Sequence, residues 1–305
     1  MNTNMNFEYD FHNCALCPRN CHADRVNGHG FCRSGSQMTA ARAGLHFWEE
    51  PCISGKRGSG TVFFTGCHLG CSFCQNYDIS KSINKGLFID KIRLREICFE
   101  LKEKGAHNVN LVTPTHYAPL IAEAVYPIKS ALAIPVICNT GGYDMGKGLE
   151  YLAEVCDVFL PDFKFASAEN GKTFANAENY PEIALDSIKF MVKSTGKPRF
   201  DEDGMIIGGT IVRHLVLPGQ RADSIKVMDI LGENFKSDEI LVSLMSQYTP
   251  NENASGKMAR RVSSFEYDSV AERCLYYGFD GYMQGKSSAK KEFTPKFDLS
   301  GVKKE

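Results

Sequence analysis

Long apolar runs are missing from this 305-residue chain. No stretch approaches the roughly 18 uninterrupted apolar residues of a membrane-spanning helix. Charge of one sign is missing too: Lys+Arg is 35 and Asp+Glu is 36, a formal net charge of −1. That balance gives no global electrostatic case for nucleic acid or an anionic membrane as the main partner. The stretch Met1–Phe11 has neither a basic n-region nor an apolar h-region, so the expectation is a cytoplasmic protein. No internal repeat is visible beyond an alternation of strands and helices. Hydrophobic residues make up 43% and charged ones 23%, enough for a sizeable core and too apolar for wholesale disorder. The length allows one large α/β domain or two smaller ones.

Cysteine is what the chain has in quantity: 12 residues. In a reducing compartment, with a core available, they are not a disulfide scaffold. Short cysteine spacings then point to metal or redox chemistry. Two sets stand out. Cys14-x2-Cys17-x3-Cys21-x10-Cys32 lies among Pro, Gly, His and Asn; Cys67-x3-Cys71-x2-Cys74 lies in TGCHLGCSFCQN. Cys98, Cys138, Cys156 and Cys274 are isolated and read as small buried apolar residues.

Apolar patterning predicts strands over 60–66, 108–114, 134–140, 157–164, 209–219 and 239–248. It predicts helices over 90–105, 118–132, 146–156, 179–195, 222–234 and 266–278. Short, nearly continuous apolar strands alternating with helices predict a parallel sheet with both faces covered. Thr113, Asn139, Asp162, Arg213 and Gln247 fall at the C-terminal ends of these strands, the rim where β/α folds bind ligands. The expected divisions are a cysteine-rich metal-binding lobe (1–58), an α/β partial barrel (59–250), a C-terminal loop and helix packed on it (251–285) and a flexible basic tail (286–305). The aromatic run Tyr276-Tyr277-Gly278-Phe279 reads as core packing, and the basic loop Lys257–Arg261 as solvated.

Three thiols in eight residues, directly after a predicted strand, suit a 4Fe–4S cluster that leaves one iron open. Here the sequence resembles the radical S-adenosylmethionine (SAM) superfamily, whose signature is CxxxCxxC with an aromatic before the last cysteine, here Phe73. The resemblance implies a partial (β/α)6 TIM-type barrel. It also implies that Cys67, Cys71 and Cys74 ligate the cluster and that the open iron holds SAM for reductive cleavage and hydrogen-atom abstraction. TGCHLGCSFCQN, PVICNTGGYD, DVFLPDFKF and IVRHLVLPGQ further resemble the activating enzymes of glycyl-radical enzymes, such as pyruvate formate-lyase activase. That likeness implies a glycyl-radical partner protein and an electron donor such as flavodoxin or ferredoxin. It places Asp162 and Lys164 against the SAM ribose and carboxylate, Arg213 beneath bound SAM, and Asn139 and Thr140 near the methionine end. One motif departs. Activases carry Gly-Gly-Glu at the end of the second strand, where this chain has Thr113-Pro114-Thr115-His116-Tyr117. The Thr hydroxyls, backbone carbonyls and His116 are the candidates for that role. The N-terminal Cys-Ala-Leu-Cys-Pro-Arg-Asn-Cys is similar to a divergent activase-like subgroup with a CxLCPRxC motif.

For Cys14, Cys17, Cys21 and Cys32 three readings stand: a structural Zn2+, an auxiliary iron–sulfur cluster, or unligated thiols. Cys52 is an alternative ligand. Two rival functions also stand. One is a radical SAM enzyme acting on another peptide or a small molecule; the other is a non-enzymatic zinc-binding module.

Overall fold

The computed structural model describes residues 6–251, 254–284 and 294–304. The strands are β1 (Met38–His46), β2 (Ser59–Phe64), β3 (Leu87–Ile89), β4 (Val109–Val112), β5 (Val136–Thr140), β6 (Val158–Pro161), β7 (Arg199–Phe200), β8 (Ile206–Leu215), β9 (Leu241–Met245) and β10 (Gly281–Met283). They form one sheet in the order β10-β9-β8-β6-β5-β4-β2-β1-β3, with β7 paired to β8. From β2 through β4, β5, β6, β8 and β9 to β10 every pairing is parallel. Helices intervene at Lys91–Glu103, Ala118–Val125, Lys147–Ala153, Tyr180–Thr195 and Arg221–Asn234. Among the described residues β3 and β10 are the outer strands and do not pair with each other, so the barrel is partial.

Burial explains the architecture. Every residue of β2, β4, β5, β6 and β9 is buried, as parallel strands with both faces covered must be. On one side Val62, Leu111, Cys138 and Phe159 share a core with Leu94, Ile97, Ile121 and Leu152 of the helices. Cys98, Cys138, Cys156 and Cys274 are all buried. The expected helix over 118–132 is interrupted. Pro119 sits in the first turn of Ala118–Val125, where its missing N–H is harmless. Pro127 falls in a 3-10 turn (Tyr126–Ile128), where a proline in the ladder ends the α-helix.

The sequence reading needs correction at both flanks of the barrel. The first flank is the expected lobe boundary at residue 58. β1 lies antiparallel on β2, its register shifted between Ala40 and Arg42, and so belongs to the sheet. The short helix Pro51–Ser54 lies under the N-terminal ends of the strands. There Cys52 and Ile53 pack with Ile137, Val158 and Ile211, and Asn108 Nδ2 donates to Ile53 O at 2.8 Å. The second flank is the tail expected to be flexible. Residues 294–304 dock on β1: Leu299 N–H donates to Ala41 O (3.0 Å) and Ala43 N–H to Ser300 O (2.9 Å). Arg93 donates to Gly301 O (3.0 Å) and Val302 O (3.1 Å), and Val302 is 3% exposed. The part of that expected tail over 286–293 lies outside the described residues, as does 305. A smaller correction concerns the aromatic run. Phe279 is buried, but Tyr276 is 73% exposed and faces the Arg273 guanidinium. The Lys257–Arg261 loop contains a 3-10 turn, Gly256–Ala259, and Arg260 pairs with Glu266.

Candidate active site

β2 ends at Phe64 and the chain turns at once into the cysteine loop. Gly66 has φ +81°, and a Cβ there would lie 2.3 Å from Ser34 Oγ and 2.6 Å from Cys32 O; only glycine fits. Cys67 N–H donates to Cys32 O at 3.2 Å. Cys67 Sγ accepts from the N–H groups of Leu69 (3.3 Å) and Gly70 (3.4 Å). Phe73 packs edge-on against Phe165 and Phe174, with centroids 6.0 and 6.1 Å away. Burial pushes the Cys71 thiol up to about 12, with the Lys164 ammonium working the other way.

Cys67, Cys71 and Cys74 open into a cleft enclosing about 1230 Å3 of space continuous with solvent. The strand-end residues Thr113, Asn139, Asp162, Arg213 and Gln247 line the same cleft, together with Phe73, Thr140 and Lys164. The structure therefore brings the cysteine loop and the polar rim to one place. The polar wall is held by mutual bonds. Arg213 Nε donates to Asp162 Oδ1 (2.8 Å) and Nη2 to Asn139 Oδ1 (2.7 Å). Lys164 Nζ donates to Asp162 Oδ2. Burial opposes the Asp162 charge, but Arg213 and Lys164 together hold its carboxyl below the usual range. The Thr140 hydroxyl donates to Asp144, and its oxygen accepts from Gly142 N–H at 3.3 Å. Gly142, with φ +76°, lets the 140–144 turn pass within 1.9 Å (Cβ position) of Asp162 O.

Three further residues stand in or behind this wall with no signal from strand periodicity. Glu49, just after β1, lines the cleft and lies 3.4 Å from Arg213 Nη1; it accepts from Asn110 Nδ2 (3.2 Å) and Asn139 Nδ2 (3.3 Å). Burial raises its pKa, against the pull of Arg213. Asp144, 1% exposed, accepts from Thr115 Oγ1 at 2.5 Å and lies 3.4 Å from His68 Nε2. His68 sits inside the cysteine motif itself. At the departing motif, Thr113 lines the cleft with a left-handed φ of 57°. His116 does not line it; its Nε2 lies 2.9 Å from Thr65 O.

The donor set fits an iron–sulfur cluster with an open iron. The cleft presents three thiols and no fourth cysteine, and each thiolate of such a cluster takes its own iron. Among the described residues no three His, Cys, Asp or Glu side chains gather as tightly as a single metal ion requires. In the N-terminal set Cys14 and Cys32 are buried, Cys17 is half-buried and Cys21 is exposed. Cys14 and Ala23 form an antiparallel bridge, and Arg25 Nη1 lies 3.5 Å from Cys14 Sγ.

An uncharacterized protein of Methanocaldococcus jannaschii, MJ0674, is 30% identical over 286 residues, covering 88% of this chain and 76% of that one. The structure of SuiB from Streptococcus suis is similar in fold at 14% identity and TM-score 0.50, covering 72% of this chain. The chain spans about half (47%) of that SuiB structure. A domain of pyruvate-formate lyase-activating enzyme from Bacteroides vulgatus overlays more loosely, with TM-score 0.37 at 15% identity, covering 64% of this chain and 91% of that one. Residues 61–229, more than half of the chain, match the Radical SAM superfamily. The chain belongs to the radical SAM superfamily, and with it to enzymes that use SAM and a 4Fe–4S cluster for radical chemistry.

Proposed function

We propose that Cys67, Cys71 and Cys74 hold the cluster, that Phe73, Asn139, Thr140, Asp162, Lys164 and Arg213 shape the SAM pocket, and that the hydrogen atom abstracted comes from the glycine of a partner glycyl-radical enzyme. One observation carries the site assignment: three loop thiols and five strand-end polar residues converge on one cleft. The glycyl-radical target rests on the activase-like stretches of the sequence. When bound, a reduced 4Fe–4S cluster supplies the electron that cleaves the S–C5′ bond of SAM.

The chain's own groups bind and orient. Lys164 donates one N–H to Asp162, which leaves two N–H groups for a ligand carboxylate. Asp162 holds both cations in place, and removing its carboxylate would take from Lys164 the partner that keeps its ammonium charged in a buried site. Asn139 and Glu49 fix Arg213 from its other side. Phe73, Phe165 and Phe174 make an apolar backing behind the loop, which limits water at the thiols. A flavodoxin or ferredoxin would deliver the electron.

Cys14, Cys17, Cys21 and Cys32 are the proposed second metal site, zinc or iron–sulfur; they do not stand at single-ion spacing in this structure, so a zinc ion would have to draw them together. Arg25 supports the site. Its guanidinium is 1% exposed and makes no ion pair with a carboxylate among the described residues. Its bonds go to the carbonyls of Ser34 and Gly35 and to Cys14 Sγ. A buried cation calls for a buried anion, and metal-bound thiolates supply one.

Anaerobic reconstitution with iron and zinc counting and 5′-deoxyadenosine detection tests both sites. Cys71→Ala should abolish all reductive SAM cleavage and remove the cleft cluster's iron, with its share of the broad absorption near roughly 400 nm, while metal at the N-terminal site persists. Unchanged iron content together with SAM cleavage in Cys71→Ala would sink the site assignment. An EPR doublet on a glycyl-radical enzyme supplied as partner supports that target. Product on another peptide or a small molecule, with no such doublet, favours the alternative substrate class.

A further inference from the structure

The Cys17-Pro18-Arg19-Asn20-Cys21 segment reaches directly into the cysteine loop. Asn20 N–H closes a turn on Cys17 O at 3.0 Å, and Asn20 has φ 41°. This turn projects Arg19 across the sequence. Its Nε donates to His68 O at 2.7 Å and its Nη2 to Leu69 O at 3.2 Å. The same Nη2 donates to Ala175 O at 2.9 Å, and Nη1 donates to Asn176 O. Two of these carbonyls lie between Cys67 and Cys71. The other two belong to the end of the helix Ala168–Ala175, whose last carbonyls lack intrahelical partners. The guanidinium carbon also lies 4.1 Å from the Phe31 ring centroid and 5.1 Å from that of Tyr143. Tyr143 O in turn lies 2.8 Å from His68 Nε2.

We infer that Arg19 is a positioning residue for the cluster: it fixes the backbone between Cys67 and Cys71 and ties that loop to the Ala168–Ala175 helix end. The inference rests on Cys67, Cys71 and Cys74 being the cluster ligands. A planar fork of N–H donors can serve four carbonyls at once, whereas a lysine ammonium has three donors on one atom. The carbonyl contacts also polarise the peptide groups whose N–H bonds reach Cys67 Sγ, because Leu69 and Gly70 N–H belong to the peptides of His68 O and Leu69 O. Arg19 therefore acts on the sulfur through the backbone. The N-terminal lobe is the back wall of the cysteine loop, with Cys32 O and Ser34 Oγ against Gly66 and Cys67 as its other contacts.

The test uses the full chain with Arg19→Lys, which keeps the charge, and Arg19→Gln as a second variant. Two rates are read. One is cysteine alkylation in the metal-free protein, mapped by mass spectrometry; the other is iron loss to a chelator from the reconstituted protein. Partners of this kind affect metal affinity by about 10–100-fold. The expected result is at least a ~10-fold rise in iron loss and faster alkylation confined to Cys67, Cys71 and Cys74, with Cys98 and Cys138 as protected as in the wild type. Wild-type rates in both variants overturn the inference. So does an equal rise at Cys98 and Cys138, which would make Arg19 a general fold residue. If the wild type itself takes up no iron at these cysteines, the site assignment falls instead, and the two failures are told apart.

Discussion

Thr113 carries a β-branched side chain on a left-handed backbone, φ 57°, at the edge of the cleft. That conformation costs of order 1–2 kcal/mol for such a residue. The strain is held by the N–H bond from Thr113 to Asn139 O, 2.8 Å. Thr113→Gly should release it, raising the melting temperature by about 2–4 °C per kcal/mol recovered, while SAM affinity falls through loss of the side chain. Calorimetry with equilibrium dialysis of SAM checks both signs; a lower melting temperature would contradict the strain account. Thr113, Asn139, Asp162, Arg213 and Gln247 were legible because they are polar residues at or near the C-terminal ends of apolar strand runs. Glu49, His68 and Asp144 were not. Each lies on an irregular segment whose path into the site depends on distant chain, and no periodicity marks such a residue.

Among the elements, the helix Ser264–Tyr276 shows how a local device anchors a distant turn. Ser263 and Glu266 form a reciprocal capping box, and Glu266 also accepts from Gly219 N–H (2.6 Å) and pairs with Arg260 (2.7 Å). Gly219 follows β8, so the cap fastens the helix to the turn after the Arg213 strand. Arg260 and the cap bonds hold the Glu266 carboxyl well below the usual range. A depressed folded-state pKa means that its stabilisation is complete above about pH 4.3, the unfolded value, and is lost as pH falls through the lower folded value. Glu266→Ala should therefore destabilise by roughly 1–2 kcal/mol at pH 7, and the deficit should shrink below about pH 4. Denaturation series at pH 7 and pH 3 decide it; an equal deficit at both would reject the ion pair as its source. The box was absent from the sequence reading, which began this helix at 266. β1 escaped that reading as well. Its residues, Met38–His46, alternate only weakly in burial, and the strand lies between two antiparallel neighbours, β2 on one edge and β3 on the other.

For the molecule as a whole, the docked segment 294–304 is the largest departure from what the sequence shows. Its Lys-rich composition suits a solvated tail. Composition cannot reveal that Arg42 meets Asp298 Oδ1 (3.1 Å) and Ser300 Oγ (2.8 Å), or that Phe297 packs on Phe63. Thr294 and Pro295 line the cleft. Burial of Val302 alone is worth about 1.5–3 kcal/mol. Deleting residues 294–305 should lower the melting temperature by about 5 °C and promote self-association, since β1 would present unpaired backbone groups at Ala41 and Ala43. Calorimetry and light scattering read this; a monomer of unchanged melting temperature would show the docking to be incidental. The same feature imposes an order on synthesis. Arg42 and Asp298 are 256 residues apart; at about 5–20 residues per second, the ribosome makes the cover for β1 roughly 13–50 s after the strand it covers. Throughout that interval a nascent chain carries a bare strand edge, and pairing with a neighbouring nascent chain competes with the arrival of its own last segment.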